Sequence, residues 1–171
     1  PNIDITTIGA NVFNGCKSLT SIDLPDSITA IGNNAFKGCE KLSSVYIPYK
    51  VKTIGNSAFN GCKSLTNIVL PKNITTIGDN AFANCEKLQS VRAEMTIKND
   101  GKINIAPNAF DNTNIGLIIY VPMDKDEKIY DNSTKYNKEV WGNVKDKVVA
   151  IELTVFNYNK VNINPSDLLD E

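Results

Sequence analysis

Four cysteines are the side chains of this 171-residue sequence with the most obvious chemical potential, since thiols bind metals, form disulfides or act as nucleophiles. Cys16, Cys39, Cys62 and Cys85 recur every 23 residues. If each 23-residue segment forms one coil of a stack, neighbouring thiols point in parallel, which is poor geometry for a disulfide. No two lie at the close spacing of a zinc motif. We therefore expect a column of buried, free thiols that fill space as small apolar groups.

Other residue types that support catalysis are missing or misplaced. The sequence contains no histidine, which excludes Ser-His-Asp and Cys-His nucleophilic sites and histidine metal centres within this chain. No acidic residue occupies a predicted inward position, where burial would raise its pKa toward that of a working acid. Asp124 and Asp126 begin like a calcium loop, but the glycine and glutamate that such a loop requires are absent. The sequence predicts no enzyme, no metal and no cofactor.

Charge and hydropathy narrow the expected partners. The 18 lysines and arginines interleave with 19 aspartates and glutamates, whereas a nucleic-acid-binding protein presents a basic face. No apolar run approaches the roughly 18 residues that suggest a transmembrane helix. We therefore expect neither nucleic-acid binding nor membrane insertion by this chain.

The elements that would position these residues are set by the same period. Phe13, Phe36, Phe59 and Phe82 lie 23 residues apart, which is typical of a solenoid whose coils bury apolar residues against their neighbours. Within each repeat, the pattern Leu-x-x-Ile-x-Leu predicts a short strand such as Ser21 to Leu24. Prolines follow these strands because they cannot donate to a ladder. The strands are expected to form a parallel sheet.

Very short helices or 3-10 turns are predicted on the opposite side. Gly9, Gly32, Gly55 and Gly78 stand where a helix N-cap belongs. A second column holds only glycine and asparagine, the residues that enter the left-handed conformation most readily, and is predicted to end each helix. Its members are Gly15, Gly38, Gly61, Asn84 and Asn112.

The pattern Leu-x-x-Leu-x-Leu-Pro, followed by Ile-x-x-Ile-Gly-x-x-Ala-Phe-x-Gly-Cys, resembles the BspA-like class of leucine-rich repeats, found in surface proteins of bacteria and some protists. The resemblance covers residues 1 to about 122. It implies a right-handed leucine-rich-repeat solenoid of the α/β class with about five 23-residue repeats. It also implies adhesion to host proteins or to other cells, from a cell-surface or secreted location.

Departures from the repeat suggest the domain organisation. Residues 1–122 are predicted to be repeats, interrupted near 96–105 by a hairpin that is either a tolerated insertion or a recognition finger. Residues 123–147 are predicted to form a C-terminal cap, and residues 148–171 one or two strands that complete the cap or open a further module. Because the first copy lacks a strand and the chain starts at Pro1, we expect a mature or engineered fragment whose signal peptide lies outside it.

The outward residues of the predicted sheet, with two residues just beyond its prolines, form the candidate binding surface, here called the strand face. Exposed tyrosine and arginine are common anchors of protein recognition, although strands also favour tyrosine and valine for their own sake. We expect a monomeric domain that docks a host matrix or cell-surface protein on this concave face. A carbohydrate-binding module and a spacer without a ligand remain alternatives. The strand face comprises Ser21, Asp23, Ser44, Tyr46, Tyr49, Asn67, Val69, Lys72, Ser90, Arg92 and Tyr120.

The lysine-rich opposite side is expected to be only a solvated rim. Its members are Lys17, Lys37, Lys41, Lys63 and Lys87.

Overall fold

The computed structural model describes residues 4–93, 104–114, 118–122 and 148–151, the last two ranges as backbone. Over these residues the chain winds into a stack of coils with parallel strands on two sides, which confirms the predicted leucine-rich-repeat solenoid. The strands are β1 (Thr7–Ile8), β2 (Ala30–Ile31), β3 (Thr53–Ile54), β4 (Asn67–Leu70), β5 (Thr76–Ile77), β6 (Ser90–Ala93), β7 (Asn104–Ile105), β8 (Ile118–Pro122) and β9 (Val148–Ile151).

One sheet consists of five two-residue strands in the order β1-β2-β3-β5-β7, all parallel. In each strand the second residue is a buried isoleucine, while the first lies toward the outside. Backbone bonds such as Gly32 N–H to the Ile8 carbonyl, at 2.8 Å, extend the ladder. This sheet was not predicted from the sequence.

The second sheet follows the order β4-β6-β8-β9 and carries part of the strand face. The strand predicted over Ser21 to Leu24 does not form, and neither does its equivalent at Ser44 to Ile47. Just before these two segments, Ser43 N–H donates to the Thr20 carbonyl at 3.0 Å and Ser43 Oγ donates to the same carbonyl at 3.2 Å. A single backbone bond does not make a ladder. Leu24 and Ile47 are nevertheless buried, so the predicted inward pattern holds without strand pairing.

Of the predicted short helices or 3-10 turns, the structure has turns, since no helix occurs in the described ranges. The segment around Phe36 contains two successive turns, closed by Lys37 N–H to Asn34 O at 3.2 Å and Cys39 N–H to Phe36 O at 3.1 Å. Asn34 has a φ of 55°, and a helix cannot continue through a left-handed residue. Phe36 N–H instead donates to the Ala58 carbonyl of the next coil, at 2.7 Å. Backbone N–H groups that would bond within a helix therefore bond to the neighbouring coil.

The predicted left-handed column is confirmed, with φ between 54° and 74° at Gly15, Gly38, Gly61, Asn84 and Asn112. The other glycine column has a different cause from the N-cap role predicted for it. A Cβ at Gly55 would lie 2.5 Å from Asn33 Oδ1 and 2.7 Å from Asn33 N. Glycine is required there because the preceding coil approaches too closely for any side chain.

The core is organised around a stack of five phenylalanine rings. Successive ring centroids lie 5.0–5.2 Å apart and the ring planes deviate by at most 10°. Within the described residues, every buried residue is hydrophobic. The phenylalanine stack is therefore a continuous apolar interior that sets the spacing of the coils. Its members are Phe13, Phe36, Phe59, Phe82 and Phe110.

Several predictions fall outside the described residues. The hairpin near 96–105 is described only at β7, and the cap at 123–147 lies wholly outside. Within 148–171, strand β9 pairs in parallel with β8 and so continues the second sheet. The division of the chain at residues 122 and 147 stays a prediction.

Candidate binding surface

Three of the four cysteines pack in the hydrophobic core as free thiols. All four cysteines are free, and Cys39, Cys62 and Cys85 are buried. Each buried thiol donates to the carbonyl of the phenylalanine 26 residues earlier, at 3.1–3.2 Å. Cys16 is exposed, contrary to the expectation that all four are buried, because it lies in the first coil of the described stack and no earlier coil covers it. Within the described ranges no three potential metal ligands come together.

Burial suppresses the reactivity of these thiols. It raises the pKa of Cys85 from its usual 9.0 to about 12, and it raises the pKa of Cys62 further still. Burial is also the main cause of the raised pKa of Cys39. Because the thiolate is the reactive form, these three cysteines are poor nucleophiles at neutral pH.

These shifts predict that the fold loses stability in alkaline solution. The unfolded thiols release their protons above pH 9.0, whereas the folded Cys85 keeps its proton up to about pH 12. Over that window the unfolded state binds fewer protons, so the free energy of unfolding falls as the pH rises, by up to about 1.4 kcal/mol per pH unit for each thiol. Urea unfolding between pH 7 and pH 10.5 measures this slope.

The control for this measurement is a variant with Cys62→Ala and Cys85→Ala. It is less stable at neutral pH, but we expect its stability to change less steeply with pH. All other titratable groups are the same in both proteins, so their contribution to the pH dependence of stability cancels in the comparison. Equal slopes in the two proteins would show that the buried thiols are not responsible.

A charge column crosses the side opposite the strand face. Lys17 Nζ lies 2.9 Å from Glu40 Oε1, and Lys63 Nζ lies 3.2 Å from Glu86 Oε1. The hydrogen bond from Lys17 is the main cause of a lowered pKa at Glu40. The sequence analysis placed Lys17 and Lys63 in a solvated rim and overlooked their partners. Opposite charges spaced by 23 residues were the signal that would have revealed these pairs.

The strand face is exposed over most of its length. Val69 and Ser90 are half-buried, and the other described side chains of this face are exposed. The exposed ones are Ser21, Asp23, Ser44, Tyr46, Tyr49, Asn67, Lys72 and Arg92. Strand pairing aligns Val69 with Arg92 and Arg92 with Tyr120, and it aligns Asn67 with Ser90. Tyr120 is described as backbone alone. The fold thus places the predicted residues on one side of the stack, in columns that run from coil to coil.

Polar groups in the middle of the strand face are partly used within the fold. Ser90 Oγ donates to Asn67 Oδ1 at 2.6 Å, and Asn67 Nδ2 donates to Thr66 Oγ1 at 3.1 Å. The tyrosines, in contrast, project into solvent, with Tyr46 57% and Tyr49 48% exposed. Among the described side chains of this face, these two rings are the main apolar contact area.

The corner next to Tyr49 is held by contacts between coils. Asn73 Nδ2 donates to the Tyr49 carbonyl at 2.8 Å, which ties two successive turns together. Lys50 Nζ lies 5.6 Å from the centroid of the Tyr49 ring, within range of a cation–π contact. The backbone under Tyr49 is therefore fixed, although its ring remains available.

The sequence analysis missed Asp26, which belongs to this corner. Asp26, Tyr49 and Lys72 directly follow the prolines of three successive coils and lie 23 residues apart. All three are exposed. The signal in the sequence was the position directly after each proline, which Asp26 shares with the predicted residues Tyr49 and Lys72.

No helix of the described residues is long and apolar enough to cross a membrane.

Comparisons with known proteins agree with this architecture. A family profile described as "BspA type Leucine rich repeat region" matches residues 2–116 in six copies. Among solved structures, a leucine-rich repeat protein of T. pallidum (TpLRR) is 29% identical, with 52% of each chain covered and a TM-score of 0.46. The pneumococcal vaccine antigen PcpA is 18% identical over 89% of this chain and 42% of its own, with a TM-score of 0.58.

A leucine-rich repeat protein from Bacteroides ovatus is 26% identical over 75% of this chain and 42% of its own, with a TM-score of 0.43. The chain thus spans about half or less of the length of these solved structures. No curated protein sequence matches it. The likeness to PcpA concerns the fold.

Proposed function

Because the chain belongs to the BspA type leucine-rich repeat family, we propose that it is a non-enzymatic binding domain, displayed on a cell surface or secreted, that docks a protein partner on the strand face. Membership of this repeat family is consistent with a binding role. The surface location is the one implied by the resemblance of the repeat to bacterial surface proteins. The docking face and the partner class are inferences from this chain's own side chains.

The exposure of Tyr46 and Tyr49 is the observation that carries the proposal. The stacked phenylalanines turn into the core, whereas these two tyrosine rings are about half exposed. Tyrosine offers a large contact area at low cost in conformational entropy, because few of its torsions are immobilised on binding. The stacked phenylalanines hold the coils beneath in place, so the two tyrosine rings project from a rigid support.

The opposite side offers less to a partner. Its paired charges, Lys17 with Glu40 and Lys63 with Glu86, already compensate each other. The backbone donors there, such as Phe36 N–H and Phe59 N–H, are used between coils. Both features favour the strand face as the docking surface.

The test is binding of the purified chain to immobilised fibronectin, fibrinogen and laminin, with and without Tyr46→Ala and Tyr49→Ala together. We expect at least one of these proteins to bind the native chain. The double variant should bind it about thirtyfold more weakly, the loss of roughly 2 kcal/mol that defines an interface hot spot. Surface plasmon resonance measures both affinities.

Lys37→Ala with Lys87→Ala provides the matched control, because both lysines are exposed and neither belongs to the strand face. This variant should bind as the native chain does. Equal losses in the two double variants would argue against the strand face. Binding that disappears when the immobilised protein is deglycosylated would favour the carbohydrate alternative, and no binding to any of the three would favour the spacer.

A further inference from the structure

The strand face has a polarity along the axis of the stack. Two neighbouring columns begin with an aspartate, continue with a tyrosine and end with a basic residue. One contains Asp26, Tyr49 and Lys72, and the other contains Asp23, Tyr46, Val69 and Arg92. All of these residues are exposed except Val69, which is half-buried. The same order in both columns makes one end of the face acidic and its other end basic. The tyrosines lie at its centre, where Lys50 Nζ is 5.6 Å from the centroid of the Tyr49 ring.

The distance between the charged ends follows from the spacing of the coils. Ring centroids in successive coils are 5.1–5.2 Å apart at the centre of the stack, so Asp26 and Lys72, two coils apart, are separated by about 10 Å along the axis. The intervening turns are held in place by Asn73 Nδ2 on the Tyr49 carbonyl and by Lys52 N–H on the Thr29 carbonyl, at 2.9 Å. The charge pattern is therefore a fixed feature of the surface.

Asp26 and Lys72 form no ion pair with another described residue. By contrast, Lys17 and Lys63 on the opposite side each hold a glutamate. In the described part of the chain Asp26 and Lys72 do not pair with each other. Among these residues, each of the two side chains is left to meet a charge on a partner.

We propose that the strand face recognises an extended, bipolar peptide segment, laid along the stack axis across the strands. A basic residue of the segment lies over Asp23 and Asp26, an apolar stretch covers Tyr46 and Tyr49, and an acidic residue lies at Lys72. This deepens the proposed function and rests on it, because it names the chemistry of the protein partner. An extended chain advances about 3.3 Å per residue, so the two charges are separated by two to four residues.

Electrostatic complementarity disfavours the other classes of ligand. A polyanion such as a sulfated glycan gains at Lys72 but is repelled by Asp23 and Asp26, and the juxtaposition of like charges opposes binding. A neutral sugar leaves both charged ends unmatched. A uniformly acidic or uniformly basic peptide satisfies only one end of each column.

The test uses four amidated decapeptides that share a central Leu-Thr-Leu segment. The segment is flanked by Lys and Asp, by Asp and Asp, by Lys and Lys, or by Ser and Ser. We expect the bipolar peptide to bind the native chain about fivefold more tightly than each of the others, since charge complementarity acts at both ends. Raising the salt to about 0.5 M should remove most of this advantage. Biolayer interferometry with immobilised peptides measures the affinities.

Charge reversal supplies the decisive comparison. Asp26→Lys neutralises the acidic end, because Asp23 remains there, and should therefore remove the preference for the bipolar peptide over the Asp and Asp peptide. Asp79→Lys makes the same charge change at an exposed position off the strand face, and we expect it to leave the preference unchanged. Asp26→Asn keeps the charge of Asp23 and should reduce the preference only in part.

Any one of three results would overturn this inference. The first is a bipolar peptide that binds no more tightly than the serine peptide, and the second is an Asp and Asp peptide that binds the native chain as tightly as the bipolar one. The third is that Asp26→Lys leaves the peptide preference unaltered. If any of these appears while Tyr46→Ala with Tyr49→Ala still weakens binding to a host protein, the proposed function stands and only the bipolar chemistry is wrong. If the tyrosine variant has no effect on host-protein binding, the proposed function fails at its own test.

Discussion

Phe59→Ala is expected to lower the free energy of unfolding by about 3–5 kcal/mol, the usual loss for a buried phenylalanine truncated to alanine. Phe59 is fully buried and stacks on both Phe36 and Phe82, at 5.1 Å and 5.2 Å between ring centroids. Its removal leaves a cavity that the neighbouring coils cannot close. Their backbones are held on each side, for example by Phe36 N–H on Ala58 O and Phe59 N–H on Ala81 O, both at 2.7 Å.

Urea unfolding followed by circular dichroism measures this loss. Tyr46→Ala is the matched control, since it also removes an aromatic ring but from an exposed position, and its effect should stay within about 0.5 kcal/mol. A Phe59→Ala variant as stable as Tyr46→Ala would mean that the phenylalanine stack does not hold the coils together.

Gly55→Ala is expected to cost about 1–3 kcal/mol, the range for forcing extra atoms into a closely packed region. The added Cβ would lie 2.7 Å from the backbone nitrogen of Asn33 and 2.8 Å from the carbonyl carbon of Gly32. Backbone atoms cannot rotate away as the end of a flexible side chain can. The two coils must therefore separate locally, which strains bonds such as Gly55 N–H to the Ile31 carbonyl, at 2.8 Å.

Gly61→Asn separates this steric effect from the loss of glycine as such. Gly61 has a φ of 74°, and Asn84 and Asn112 already adopt the left-handed conformation at the equivalent positions of later coils. An asparagine at residue 61 should therefore change the free energy of unfolding by less than about 1 kcal/mol. Thermal and urea unfolding of both variants provide the comparison. A Gly61→Asn variant less stable than Gly55→Ala would contradict the steric explanation.

Destabilisation of the core should also reach the binding surface. In a solenoid each coil contacts only its neighbours, so a defect at Phe59 weakens the adjacent coils most. Tyr49 lies in the coil of Phe36, directly before that of Phe59, and its backbone is tied to the next turn by Asn73. The rigidity of the candidate surface thus depends on the same stack that stabilises the fold.

The features that the amino-acid sequence determined by itself are those that need one residue type at one position of every coil. The 23-residue period predicted the solenoid, the phenylalanine stack, the free thiols and the left-handed turns at Gly38, Asn84 and their equivalents. These predictions held because each depends on local chemistry: the bulk of a ring, the size of a thiol, or the conformational freedom of glycine and asparagine.

The tertiary structure alone decided where backbone hydrogen bonds go and which residues are covered. Turns formed instead of helices because donors such as Phe36 N–H bond to the next coil. The sheet of five two-residue strands depends on the same bonding between coils. Gly55 is glycine because Asn33 of the preceding coil lies so close, and Cys16 is exposed because no earlier coil of the described stack covers it. The physical reason is common to all of these: they depend on the distance between coils, and that distance is a property of the assembled stack rather than of any single repeat.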